Sequence, residues 1–484
     1  MNNLSKRLIQ LLIFLTFIYS STLGARAAQT LSYSDCLLEN STWGAVSLGK
    51  PLATERLGTK TKVRIGVLPF YFTNTSPHEL TNDEKNDYFT TATRINQLSN
   101  GLVQVSFVFF PSVNSKMSTS EFAKFMEDYK SFGWKLKDLS KSTWGFVKNL
   151  VTSNDPNLDY SNLDSIILEG NDASSISPIS PDHVAEAMMF FRGSNSSFSD
   201  SGSEFFHSIV TKEGFIDNAV LLEKHYDTKV ITHEILHNFG LTDLYGGDKS
   251  PIGSSEMAQG TGLSPRLLNY EKAVLGWFPQ DKITCSNLSD FFDAAKVINK
   301  ITISDISNDS IRILRTSSNS AYLIEVEHES NNSIILIYSL NNDGRPPIDL
   351  YRNSEESQFL TYPQPYKLLG ANSIGVSFGT PDFDAFISDS TGNTISLNLI
   401  PHKLLDSEEA KTFIVKLSEI KLAAIADEKS KTDVRAKTAA DKTAADASAT
   451  AAKTKIQTIT CSKGKLTKKV TGTNPKCPAG YKQK

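Results

Sequence analysis

The sequence predicts an α+β protein built in successive parts: a mixed sheet backed by helices, an antiparallel β domain, a low-complexity spacer and a small disulfide-closed basic tail. Three observations carry this. Up to about residue 280, apolar strand-like runs alternate with stretches of helical periodicity. Short alternating runs broken by Asn, Asp, Ser and Gly then take over. Beyond about residue 420, large apolar side chains nearly disappear in favour of Ala, Lys, Asp and Thr. At 484 residues the chain exceeds what one core usually serves, so several domains are expected. The formal net charge of −3 gives nucleic-acid binding no global electrostatic support, and none is expected.

Residues 1–27 read as a signal peptide: Lys6 and Arg7, an apolar run, then Ala25-Arg26-Ala27 as a small-x-small cleavage site. The run is interrupted by Gln10 and Thr16 and is short for a bilayer span of about 20 residues. The mature protein is therefore expected to be secreted or held at the cell surface, with no transmembrane anchor. Residues 28–60 show little periodicity and read as a short leader or pro-segment. In an exported chain four cysteines read as two disulfides. Cys461 and Cys477 lie together in the tail, which leaves Cys36 to pair with Cys285. A rival reading makes Cys36 a thiolate that covers a metal in a latent precursor.

The next part spans 61–280. "VRIGVLPFYF" (63–72), "LVQVSFVFFP" (102–111) and "LDSIILEG" (163–170) are apolar, β-branched strand candidates, and "AEAMMFFRG" (185–193) is a weaker one. Between the first two, Tyr88, Phe89, Ala92, Ile95 and Leu98 recur at helical spacing before an Asn-Gly stop. Helical patterns also lie around Phe122–Tyr129 and Trp144–Val151. Residues 281–420 read as a β-sandwich-like domain through runs such as "AYLIEVEHE" and "SIILIYSL". Residues 421–456 offer almost nothing to dock against a core and read as a solvated, partly helical spacer. Residues 457–484 form the basic module, whose Lys463, Lys465, Lys468, Lys469 and Lys476 could attach to an anionic cell-envelope polymer.

Chemistry concentrates in "THEILHNFGLTDLY" (232–245). His233 and His237 stand at i and i+4, so a helix puts both imidazoles on one face, about 6 Å apart along the axis. That separation lets both reach one zinc ion at about 2.0–2.1 Å. Glu234 is placed to act on water as a general base. Gly240 can take positive φ and stop the helix, turning Asp243 back as a third ligand. The alternative is an amphipathic helix with hydrogen-bonded core histidines; Val230, Ile231, Ile235, Leu236 and Phe239 supply its apolar face either way. Two histidines and a glutamate in that surface would be costly without a partner.

A later glutamate, as in thermolysin-like enzymes, is another possible third ligand. Glu256 stands 19 residues after His237, but in a Gly/Ser/Pro-dense stretch that disfavours helix, and Glu271 is farther on.

HExxHxxGxxD followed by Met257 in the turn "SSEMAQG" resembles the metzincin plan, with aspartate in place of the usual third histidine. "LSPRLLNYEKAVLGWF", with "LDYSNLDSIIL", "VRIGVLPFYF" and the two β-domain runs above, resembles secreted peptidases of the immune inhibitor A family over about residues 60 to 350. The resemblance implies a metzincin-like zinc peptidase domain, with Met257 as the methionine-turn residue beneath the metal. It departs at Gln259, where several metzincins carry a tyrosine, so no role follows for that position.

The expected function is a secreted zinc metalloendopeptidase acting on protein or peptide substrates. One catalytic Zn2+ is held by His233, His237 and Asp243, and Glu234 is the general base. Substrate is expected to lie along an edge strand, with "AEAMMFFRG" the candidate. The alternative is a cell-surface binding or adhesion protein with a non-catalytic metal site. Acidic loops such as "NNDGRPPID" lack a full Ca2+ ligand pattern.

Overall fold

The computed structural model describes residues 32–40, 46–132, 143–171, 185–190, 207–244, 255–258, 266–292, 296–303, 309–329, 332–342, 348–350, 366–368, 376–391, 394–453 and 456–484. The expected signal peptide and its cleavage site, and Gln259, lie outside them.

From the N-terminus run α1 (Tyr33–Cys36), β1 (Lys62–Tyr71), α2 (Asn82–Leu98), β2 (Gln104–Phe109), β3 (Val113–Asn114), α3 (Thr119–Phe132) and α4 (Thr143–Asn154). Then come β4 (Ser165–Gly170), β5 (Ala185–Met189), the hairpin β6 (Ile209–Thr211) and β7 (Gly214–Ile216), β8 (Asn218–Leu222), α5 (Thr228–Phe239) and α6 (Asn269–Leu275). The main sheet has the order β2-β1-β4-β8-β5, with β3 alongside β1. Its pairings are parallel except at one edge strand, β5, which runs antiparallel to β8. Parallel strands covered on both faces need unbroken apolar runs. Every residue of β4 and β8 is accordingly buried.

Strand alternation divides this sheet between two cores. Val63, Ile65, Val67, Ile167 and Val220 face α2 and α5, meeting Ile95, Ile231, Ile235 and Phe239. Leu68, Phe70, Ile166, Leu168 and Leu221 face the other way, onto Phe122, Phe146 and Val147. The mixed sheet backed by helices is present.

The β region follows as β9 (Ile283–Asn287), α7 (Leu288–Phe291), β10 (Asn299–Ile303), β11 (Ser310–Arg315), β12 (Ser320–Glu329), β13 (Asn332–Asn341), β14 (Ile348–Leu350), β15 (Tyr366–Leu368), β16 (Ser377–Gly379), β17 (Phe383–Thr391) and β18 (Thr394–Pro401). One sheet is β14-β13-β12-β11-β9 with β15 beside β13; the other is β10-β18-β17-β16. Pairing is antiparallel throughout except between β9 and β11. Tyr322, Ile324, Ile335 and Ile337 join Phe383, Ile387 and Leu397 in a core between the two sheets, which makes a sandwich. On the opposite face Leu323, Leu336 and Tyr338 enter the same core as α5 and α6. The first β sheet is thus buried on both sides, and residues up to Thr412 form one compact unit. Strands end at Pro401, earlier than the boundary of 420 expected from sequence.

The segment expected as a leader is part of this core over residues 32–40 and 46–60. Leu38, Leu48 and Leu57 are fully buried there. Main-chain bonds tie Ser47 N–H to the Gly240 carbonyl at 2.9 Å. The Asn342 amide receives Leu48 N–H at 2.9 Å and donates to the Glu39 carbonyl at 2.6 Å. Asn342 belongs to the loop weighed for calcium, and its side chain serves the main chain instead. Cys36 and Cys285 form a disulfide, with Cα atoms 5.6 Å apart, which removes the thiolate that the latency reading requires.

The second unit, Phe413–Lys484, is described by itself. Most of α8 (Glu408–Lys453) belongs to it, a continuous helix where partial helicity was expected. After it, β19 (Gln457–Lys463), β20 (Leu466–Gly472) and β21 (Lys482–Gln483) form a sheet in the order β20-β19-β21, closed by the Cys461–Cys477 disulfide. No described helix is long and apolar enough to cross a membrane.

Candidate metal centre

Local chemistry sets both ends of α5. Asp227 caps its start, accepting the N–H groups of Lys229 and Val230 at 3.0 and 3.1 Å. Gly240 ends it at φ 112°, a left-handed conformation that glycine adopts without steric cost. The chain then doubles back over four residues, and Asp243 returns to the face that bears the histidines.

The result is a tight triad. Asp243 Oδ1 lies 3.1 Å from His233 Nε2 and 3.2 Å from His237 Nε2. The ring centroids are 4.8 Å apart and nearly perpendicular. In a tetrahedral site with bonds of about 2.0–2.1 Å, neighbouring ligand atoms stand about 3.3 Å apart. The two imidazole–carboxylate separations match that edge within a few tenths of an ångström, so these residues fit a metal.

Hydrogen bonds on the far side of each ring fix the tautomers. His233 Nδ1 donates to the Glu256 carbonyl at 2.9 Å and His237 Nδ1 to the Leu241 carbonyl at 2.8 Å. In the neutral rings Nε2 is then an acceptor, and three acceptors converge on one point. Such a group needs a cation, or protons in its place. Without a metal, protons serve: burial lowers the His237 pKa, but bonding to Asp243 overrides this and lifts it to about 9. Burial pushes Asp243 upward, yet the two imidazoles hold it well below the usual carboxylate range.

Glu234 is buried, and its charge couples to His237, His233 and Asp243. Burial raises its pKa, opposed by the two histidines and by a hydrogen bond from the Ala187 main chain on β5. Strand β5, the candidate edge in sequence, is one of the two edge strands of the main sheet among the described residues, the other being β2.

Met257 lies fully buried in a 3-10 turn, Glu256–Ala258, whose Met257 carbonyl receives Leu244 N–H at 2.8 Å. The alternative ligands are otherwise engaged. The Glu256 carboxylate pairs with Arg94 and accepts Arg266 N–H at 3.3 Å. Glu271 Oε2 accepts Ser255 Oγ–H at 2.6 Å and Leu268 N–H at 2.8 Å. Ser255 Oγ in turn accepts Met257 N–H at 3.0 Å. The turn is therefore held from α6.

Two buried clusters escaped sequence reasoning. Glu325 on β12 caps α6, accepting Tyr270 and Asn269 N–H at 2.8 and 3.0 Å and Tyr338 O–H at 2.5 Å. Burial lifts its pKa to about 7 and that of Glu271 to about 8, against these bonds. Alternation carried the signal: Glu325 shares the inward phase of Ala321 and Leu323. The second cluster precedes α5. His225 lies between Glu169, at 3.0 Å from Nδ1, and Asp87, at 2.9 Å from Nε2, while Tyr88 O–H donates to Glu169. Burial lowers the His225 pKa, but its two carboxylate partners lift it to about 9. A glutamate inside the apolar run "SIILEG" was the available signal.

No model of a known protein family matches this chain, and no curated protein matches it either.

Proposed function

We propose that the chain is an exported zinc endopeptidase of the metzincin plan, akin to the immune inhibitor A family that its sequence resembles. The observation that supports this most is the convergence of His233 Nε2, His237 Nε2 and Asp243 Oδ1, with separations of 3.1 and 3.2 Å between the carboxylate and the rings, and a buried Glu234 whose charge couples to all three. His233, His237 and Asp243 hold the metal. When bound, zinc supplies Lewis acidity, polarising a scissile carbonyl and making a nearby water more acidic.

The remaining work belongs to the chain. The Glu256 and Leu241 carbonyls orient the two rings by accepting their Nδ1 protons, which directs both Nε2 atoms toward the metal. Glu234 takes the proton of the attacking water and delivers it to the leaving amine; its burial makes it a stronger base than an exposed carboxylate. An extended substrate adds to β5 main chain to main chain, which brings a peptide bond past Glu234. Met257 supplies an apolar floor under the site.

The test is a Glu234→Ala protein assayed on casein with and without chelator, with zinc content measured in parallel. One zinc per chain, chelator-sensitive hydrolysis by the wild type, and a loss of about a thousandfold in the variant are expected. Hydrolysis at the native rate by the zinc-loaded variant would overturn the assignment. Inactivity of a zinc-loaded wild type would favour the adhesion protein with a non-catalytic site.

A further inference from the structure

We propose that the C-terminal sheet is a docking face for a hydroxyl-rich polyanion: sugar or polyol units joined through phosphodiesters. Residues 457–484 contain seven lysines and no aspartate or glutamate, although the whole chain is net negative at −3. All seven lysines are exposed. No carboxylate side chain within the module can neutralise them.

The register sorts the side chains onto two faces. Cys461 pairs with Lys468 and Gln483, and Ile459 with Val470. Cys461 is fully buried and bonded to Cys477, so the segment bearing Cys477 packs over the middle of this face, while Lys463, Leu466, Lys468 and Gln483 stay exposed at its margin. The opposite face carries Thr458, Thr460 and Ser462 along the central strand. Thr471 flanks Thr458, Lys469 flanks Thr460, and Thr467 and Lys482 flank Ser462 from either side. This open face contains hydroxyls and two ammonium groups and no apolar side chain. Thr458 and Thr471 hydroxyls bond each other at 2.8 Å, which stiffens one end.

Lys469 and Lys482 flank the central strand on opposite sides, on the order of 10 Å apart by strand spacing and rise. The hydroxyls between them can donate to phosphate oxygens and exchange hydrogen bonds with sugar or polyol hydroxyls. Nucleic acid is the poorer fit, because the module's one aromatic residue, Tyr481, is half-buried and offers no stacking platform. A lipid surface fits less well too, since the open face has nothing to insert. Lys482 and Lys469 are therefore the contact residues, whereas sequence alone points to Lys469 together with Lys463, Lys465, Lys468 and Lys476 and leaves out Lys482.

The experiment uses the full chain and immobilised poly(glycerol phosphate) at low ionic strength. Lys469→Gln/Lys482→Gln is compared with a charge-matched pair, Lys465→Gln/Lys476→Gln, which lies in the hairpin turn and the covering loop. The wild type is expected to bind, the open-face pair to weaken binding about ten- to thirtyfold, and the control pair clearly less. Equal losses in both pairs would overturn the face and leave only net charge. Absence of wild-type binding, or tighter binding to a single-stranded oligonucleotide or to phosphatidylglycerol vesicles at equal phosphate, would overturn the partner class. These readouts do not involve proteolysis, so the result is independent of the peptidase proposal.

Discussion

Two groupings of histidine and carboxylate lie along the same stretch of chain, one just before α5 and one on its second half, and they solve different electrostatic problems. At His225 a single imidazole is bracketed by Glu169 and Asp87, one on each ring nitrogen. The ring is the cation of that cluster, and nothing more is required. At His233 and His237 the roles are reversed: main-chain carbonyls occupy both Nδ1 positions, and the Nε2 atoms face one carboxylate oxygen. Both places bring three candidate ligand atoms within 4.8 Å of one another: His233, His237 and Asp243 at one, and His225, Glu169 and Glu84 at the other. What separates them is where the second nitrogen of each ring is spent. A third solution appears at Glu271 and Glu325, where burial outweighs their hydrogen bonds and the charge of Lys272, and the carboxyls hold their protons up to about 8 and 7.

The strongest way to break this comparison is to remove the shared carboxylate. Asp243→Asn is expected to lower zinc affinity by at least about a hundredfold, because losing a ligand should cost no less than losing an outer partner. Competition against a chromogenic chelator measures it. His225→Gln should do the opposite, leaving zinc content intact and costing up to about 3 kcal/mol of stability at pH 6. The pH dependence follows from the direction of the shift. His225 binds its proton more tightly folded than unfolded, so its contribution is fully present below about pH 6.5 and is lost as the pH rises through about 9. Urea titrations of both proteins at pH 6 and pH 10 should therefore converge at the higher value.

Glu271→Gln sharpens the third case. The folded pKa of about 8 lies above the ordinary 4.5, so wild-type stability falls between those values as the pH rises. The variant should lose less over that window, by up to about 5 kcal/mol, as read from thermal melts. The smallest effect is expected from Gly240→Ala, at about 1–2 kcal/mol, since an added Cβ at φ 112° is strained and meets the Leu52 side chain at 3.2 Å. A parallel drop in zinc affinity would show that this turn places Asp243.

The proposed ligand set was legible because its logic is local. Spacing of i and i+4, one glycine and three further residues suffice to gather His233, His237 and Asp243 once the helix forms. Strand and helix periods likewise announced most of the main sheet. What stayed hidden depends on contacts distant in sequence. Arg56 donates to the Phe190 carbonyl at 2.7 Å across 134 residues, and no pattern near Arg56 foretells it. The His225 cluster joins Asp87 and Tyr88 of α2 to Glu169 of β4 and to the loop before α5. Residues 32–40 and 46–60 lack periodicity because they cross several surfaces instead of lying on one. Glu325 is the exception, since period-2 reading of β12 placed a charge on an inward face.

The bonding of Cys36 to Cys285 and the burial of Leu38, Leu48 and Leu57 carry a consequence for maturation. A chain trimmed back to residue 61 would forfeit three leucines from the interior that supports α5, together with a covalent clamp. If the proposed peptidase is made as an inactive precursor, the inhibitory element is to be sought outside residues 32–40 and 46–60, because these belong to the scaffold.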